Sequence, residues 1–118
     1  MRFVLALVLA LTGAGAAAEE VASAPGAVVR ALDKVSGETT DLDLARGTTV
    51  TFGRLAVTLS DCRYPVADPS ANAYAHLTIV DTASGATAFD AWMVAASPAL
   101  SALDDPRYDV WVIRCRSE

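Results

Sequence analysis

A single histidine, His76, is the one side chain here whose ordinary titration falls near neutrality, so a general base acting there would be this imidazole. Its neighbours follow from a turn. If the segments flanking Ala83-Ser84-Gly85 form a hairpin, a three-residue loop ending in glycine sets His76 opposite Trp92 and Thr78 opposite Asp90. Tyr74 extends the same face. Such a group can act as a polar and aromatic binding surface, or as a His-Asp pair awaiting a nucleophile. It can also be a cross-strand aromatic–imidazole pair that only stabilises a sheet, by a few tenths to about 1 kcal/mol. Catalysis needs in addition a concave site and oxyanion donors, and a sheet face supplies neither by itself. Binding through His76, Trp92, Asp90, Tyr74 and Thr78 is therefore the expectation, and no residue is assigned a catalytic role.

Other chemistries are excluded one by one. The chain has no G-x-S-x-G, and no serine stands three positions before Lys34, so the common serine-hydrolase signatures are missing. Two cysteines and one histidine cannot build a zinc cage of about four ligands at short spacings. Asp104, Asp105 and Asp109 lack the glycine and regular spacing of a calcium loop and read as an exposed acidic turn. No metal and no cofactor are expected. A formal charge of −5 without a basic cluster disfavours nucleic acid, whose binding depends on grouped Lys and Arg.

The elements that would position these residues are strands. No stretch after residue 26 holds a 3.6-residue apolar period for three turns, whereas alternation broken by glycine recurs. Leu42 and Leu44 alternate with Asp41 and Asp43; Leu55, Val57 and Leu59 alternate with Ala56, Thr58 and Ser60. Ala45-Arg46-Gly47 reads as a three-residue hairpin loop pairing Leu44 with Thr48 and Leu42 with Val50. Gly53-Arg54 reads as a two-residue turn setting Phe52 opposite Leu55 and Val50 opposite Val57. Both turns place the apolar set on one face. Val35-Ser36-Gly37 would join 27–34 to 38–44, with Lys34 opposite Glu38 and Arg30 facing Leu42.

Residues 64–72 form a loop with two prolines. Ser97-Pro98 starts a short helix near 98–103, with the serine as cap and Pro106 as the stop. A last strand covers 108–116, in which Trp111 points inward by parity while Trp92 points outward. Seven short strands indicate an all-β, antiparallel sandwich or small barrel.

Residues 1–18 read as a secretory signal peptide: a basic start, an apolar run from Phe3 to Leu11, and small residues ending in Ala16-x-Ala18. The run is too short for a membrane span of about 20 residues. Cleavage before Glu19 leaves roughly a hundred residues, enough for one domain with its own core. Residues 19–26 read as a disordered leader and 27–118 as a single β domain. In an exported chain, Cys62 and Cys115 are expected as a disulfide, stabilising by roughly 4 kcal/mol in the chain-entropy model. Cys62 has the opposite parity to Leu59, so a bulge near Ser60-Asp61 is required to turn it inward.

Several segments resemble a family of small exported bacterial proteins, domain of unknown function 2155. They are Ala31-Leu32-Asp33-Lys34-Val35-Ser36-Gly37, the TTVTFGRL stretch at 48–55, Cys62, and WMVAASPALSALDDPRYDVWVIRC at 92–115. The family's relatives often carry Glu-His before the proline where this chain has Asp104-Asp105, so no imidazole role carries over there. The resemblance implies export, one domain and the cysteine pair, and no activity. The resulting expectation is a non-enzymatic periplasmic or secreted module of the envelope. It would bind a protein or small ligand, an envelope protein being the partner in view. A His76/Asp90 hydrolase and a structural subunit of an envelope complex are the alternatives.

Overall fold

The computed structural model describes residues 19–117, so the signal-peptide reading of residues 1–18 lies outside the described residues. Eight strands follow in chain order: β1 Val21–Ala24, β2 Gly26–Asp33, β3 Thr39–Ala45, β4 Thr49–Phe52, β5 Leu55–Pro65, β6 Tyr74–Asp81, β7 Thr87–Val94 and β8 Tyr108–Arg116. All pairings are antiparallel and form two sheets. One has the order β1-β5-β6-β7 with β4 also on β5; the other has the order β3-β2-β8. The architecture is a sandwich, without barrel closure. Among the described residues no helix is long and apolar enough to cross a membrane.

The sheets form because each strand presents apolar side chains at every second position to the shared core. Ala27, Val29 and Ala31 of β2, Leu42 and Leu44 of β3, and Val110 and Val112 of β8 face Leu55, Val57 and Leu59 of β5 and Ala75, Leu77 and Ile79 of β6. Val50 packs against this cluster half-buried. The shared inner surface expected from alternation is present.

The connections differ from the expected hairpins in several places. Gly53-Arg54 is a two-residue turn, with Phe52 paired to Leu55 and Val50 to Val57. Arg46-Gly47 is instead a corner between sheets, since β3 pairs with β2 while β4 pairs with β5. The Arg46 amide donates to Pro25 O and the Gly47 amide to Leu59 O, so adjacent residues serve different sheets. Alternation fixes which side chains point inward but not which neighbour supplies the hydrogen bonds.

The β2–β3 register is one step away from that expected. Arg30 faces Asp41, in a 2.7 Å ion pair, rather than Leu42, because the loop holds four residues between Asp33 and Glu38. The turn after β6 is likewise four residues long, from Asp81 to Ala86. A register shift at Ile79/Val80 then restores the expected His76–Trp92 and Thr78–Asp90 pairs.

Residues 19–26, expected as a loose leader, contain β1 and the first residue of β2. Val21 to Ala24 pair with Pro65 to Cys62 on the far end of β5, and Ala24 is buried. The segment shows no periodicity because only one of its four side chains enters the core; its order comes from an open edge of β5. The short helix is a 3-10 turn, Pro98–Leu100, and Ser97 makes no side-chain cap bond. Trp111 is on the outer face, half-buried, and Tyr108, Val110 and Val112 point inward. Ile113 is an extra residue in the β8–β2 ladder, between the Val29–Val112 and Val28–Arg114 pairs, so parity counted back from Cys115 is reversed beyond it.

Both ends of the sandwich are pinned across the sheets. At one end Cys62 of β5 is bonded to Cys115 of β8, with a sequence separation of 53. The β5 ladder skips from Leu59 to Asp61, so Ser60 is the extra residue that turns Cys62 inward, as its parity required. At the other end Tyr108 packs edge-on against Phe52 at 5.9 Å, and its hydroxyl accepts the Arg54 amide at 3.2 Å.

Candidate functional site

The outer face of the larger sheet collects all five residues singled out from the sequence. β6 carries Tyr74, His76 and Thr78 on the side away from the core, and β7 carries Asp90 and Trp92. The inward alternates Ala75, Leu77 and Ile79 are fully buried, which holds the outward residues in place. The His76 and Trp92 rings meet edge to face at 5.3 Å. His76 Nε2 lies 3.5 Å from Asp90 Oδ1, and the Thr78 hydroxyl donates to the same oxygen at 3.1 Å.

The neighbouring strands supply a second row. The Arg63 guanidinium stands over the Trp92 ring, 4.8 Å from its centroid, while Arg63 Nε donates to Asp61 at 3.0 Å. Ser23 of β1 donates to the same Asp61 oxygen at 3.1 Å. Tyr74 donates to the Glu19 carboxylate at 3.3 Å and accepts from Asn72. A shallow hollow of about 330 Å³ opens between Glu19, Val21, Arg63, Tyr74 and Trp92. Trp92 remains 37% exposed, gripped by a cation on one side and an imidazole on another.

Arg63, Asp61, Ser23, Glu19 and Val21 escaped the sequence reading. For Asp61 and Arg63 a signal existed, because a bulge at Ser60 that turns Cys62 inward also turns its two neighbours outward. For Ser23, Val21 and Glu19 none did, since β1 is recognisable only by its partner.

Two atoms in this row, His76 Nδ1 and Asp61 Oδ1, are buried without a hydrogen bond. Asp61 Oδ1 has the Arg46 guanidinium 3.9 Å away, beyond hydrogen-bond range. A buried polar atom without a hydrogen bond carries a cost of about 1–3 kcal/mol and marks bonding capacity that is not used up. The hydrolase alternative required His76 and Asp90 in a cleft with a nucleophile in reach. The pair instead stands on a sheet face, Trp92 packs on the imidazole, and Asp90 is the only polar contact of His76 among the described residues. Asp105 and Asp109 act locally: Asp105 accepts the Arg107 and Tyr108 amides, and Asp109 pairs with Lys34 at 3.3 Å.

Fold and site together define a small antiparallel β-sandwich, disulfide-pinned, with one polar and aromatic outer sheet face. The chain belongs to the family described as an uncharacterised protein conserved in bacteria (DUF2155), whose model matches residues 27–115. Comparison with curated proteins and with solved structures gave no match.

Proposed function

We propose that this protein is an exported, non-enzymatic module of the bacterial envelope that binds a protein or small ligand through the His76–Trp92 face. The observation that carries the reading is Trp92, a large aromatic left partly exposed and held rigid by Arg63 and His76 beside a shallow hollow. Rigid exposed tryptophans ringed by polar groups supply a large share of binding energy at recognition surfaces. Asp61, Asp90, Arg63 and Thr78 surround the ring with oriented donors and acceptors, which favours specificity over simple adhesion. Export is supported by the signal-peptide pattern and by the Cys62–Cys115 bond, a type of cross-link that persists in oxidising compartments.

The test compares the parent protein with Trp92→Ala and Arg63→Ala as baits in envelope extract, after circular dichroism has verified the fold. The expected result is loss of the captured partner set with both variants. An unchanged set from folded variants would remove the face as the binding site. Export is checked separately by the intact mass of protein recovered from the envelope, which should begin at Glu19.

A further inference from the structure

We propose that the free edge of β8 is a docking slot for one extended peptide segment of a partner protein, added as a fourth strand to the β3-β2-β8 sheet with an acidic residue at its Arg114 end. This site is independent of the His76–Trp92 face, which is on the outer side of the other sheet.

The sheets are unequal. β8 ends its sheet, so the ladder groups on its far edge have no strand partner among the described residues. On the other sheet, the inward side of β7 is less covered than that of β6: Phe89 and Ala91 are only half-buried, while Ile79 and Leu77, their partners on β6, are fully buried. The sandwich has room for a strand there.

Two hollows follow this edge. The larger, about 640 Å³, touches Ile113, Arg114 and Cys115; the smaller, about 330 Å³, touches Asp109, Val110 and Trp111. Asp109, Val110 and Trp111 alternate between the two faces of the sheet, so the hollow that touches all three lies beside the strand's edge. Across the smaller hollow stand Ala99, Ala102 and Leu103 from the stretch after β7; across the larger stand Ala95 and Ala96 from the same stretch, together with Tyr64 and residues 69–72 of the β5–β6 connection. A slot walled on both sides admits a single extended chain. It obstructs the β8 edge of a second sandwich, which would bring its own wall with it.

The lining selects the occupant. Small apolar side chains suit alternate apolar residues of a strand, with backbone hydrogen bonds to β8 supplying affinity. Arg114 makes no hydrogen bond or ion pair among the described residues. Its influence is felt at a distance by Asp41, whose carboxyl is lowered first by the Arg30 hydrogen bond and least by Arg114. Asp109, near the other end, is already paired with Lys34. The unpaired charge in the slot is thus a cation, and a carboxylate on the peptide complements it.

The experiment selects phage-displayed random heptapeptides on the purified, disulfide-bonded protein and resynthesises the enriched sequence. Expected are alternating apolar positions with an acidic residue at one end, and new protection of β8 amides 109–116 from hydrogen exchange. Ala96→Trp and Ala99→Trp, both at exposed positions, should each weaken the peptide about ten-fold or more by filling the slot, and Arg114→Glu should weaken it similarly. Failure to enrich any peptide overturns the proposal. So does affinity unchanged by both tryptophan variants, or protection confined to 74–78 and 90–92. If a variant is destabilised, the exchange map on the parent protein decides alone.

Discussion

Asp33 is the buried charged side chain of the described residues, and its bonds account for its position at the end of β2. Its carboxylate accepts the Val35 amide at 2.9 Å, the Ser36 amide at 3.3 Å, and Arg107 Nη2 at 3.0 Å. The Arg107 hydrogen bond foremost, opposed by burial and helped by the two amides, lowers its pKa from 3.8 to about 2. A carboxylate with a depressed folded-state pKa stabilises fully above its unfolded value, and that contribution is lost as pH falls through the folded value. Stability should therefore drop between about pH 4 and pH 2. Asp33→Asn should lower the melting temperature at pH 7 and flatten its decline over that window, as followed by thermal denaturation. Glycine offers a second test at this scale. Gly53 has φ +54°, and a Cβ there would run into the Tyr108 hydroxyl, whereas Gly37, at φ +76°, has open space around it. Gly37→Ala should cost only the backbone strain, about 1 kcal/mol, and Gly53→Ala distinctly more, about 2–3 kcal/mol, by urea unfolding.

At the scale of elements, the β5 bulge decides where the disulfide and the outer-face row both lie. Removing Ser60 leaves Asp61 pointing out and Cys62 pointing in, in a regular ladder with His76 still opposite Asp61. A Ser60 deletion should thus retain the disulfide, with no free thiol by titration; reactive thiols in a folded deletion variant would show that the strand phase had been misassigned. Replacing Cys62 and Cys115 together by alanine should cost about 4 kcal/mol for a loop of this length in the chain-entropy model, measured by denaturant unfolding. The same bulge logic explains which parts of the site were legible. That His76, Thr78, Asp90 and Trp92 face outward followed from alternation, whereas their exact pairing depends on a four-residue turn offset by the register shift at Ile79/Val80, neither of which the sequence marks. Trp111 was misjudged because Ile113 is an extra residue that the sequence does not mark. β1 was missed because a four-residue strand with one buried side chain has no period of its own.

For the whole molecule, one core supports both surfaces with proposed roles. Leu77 is fully buried on β6 between the outward His76 and Thr78, and its inward face meets the other sheet. Leu77→Ala should destabilise by about 2–5 kcal/mol and loosen the Trp92 environment, read as a shift in tryptophan emission. The sheets meet through side chains of alternating phase, so either outer face can vary without touching the core. That freedom leaves the polar row on one face and the open β8 edge on the other sheet as separate features.

The amino-acid order alone determined the β class, the inward apolar set, the cysteine pair with its bulge, and the outward direction of His76 and Trp92. These depend on a period of two and on short glycine turns, which are local properties. The tertiary structure alone decided which strands share a sheet, that residues 21–24 join β5, that Arg63 covers Trp92, and that one sheet ends at β8. Those outcomes depend on hydrogen bonds and packing between residues distant in the chain, and alternation is the same whichever partner completes the ladder.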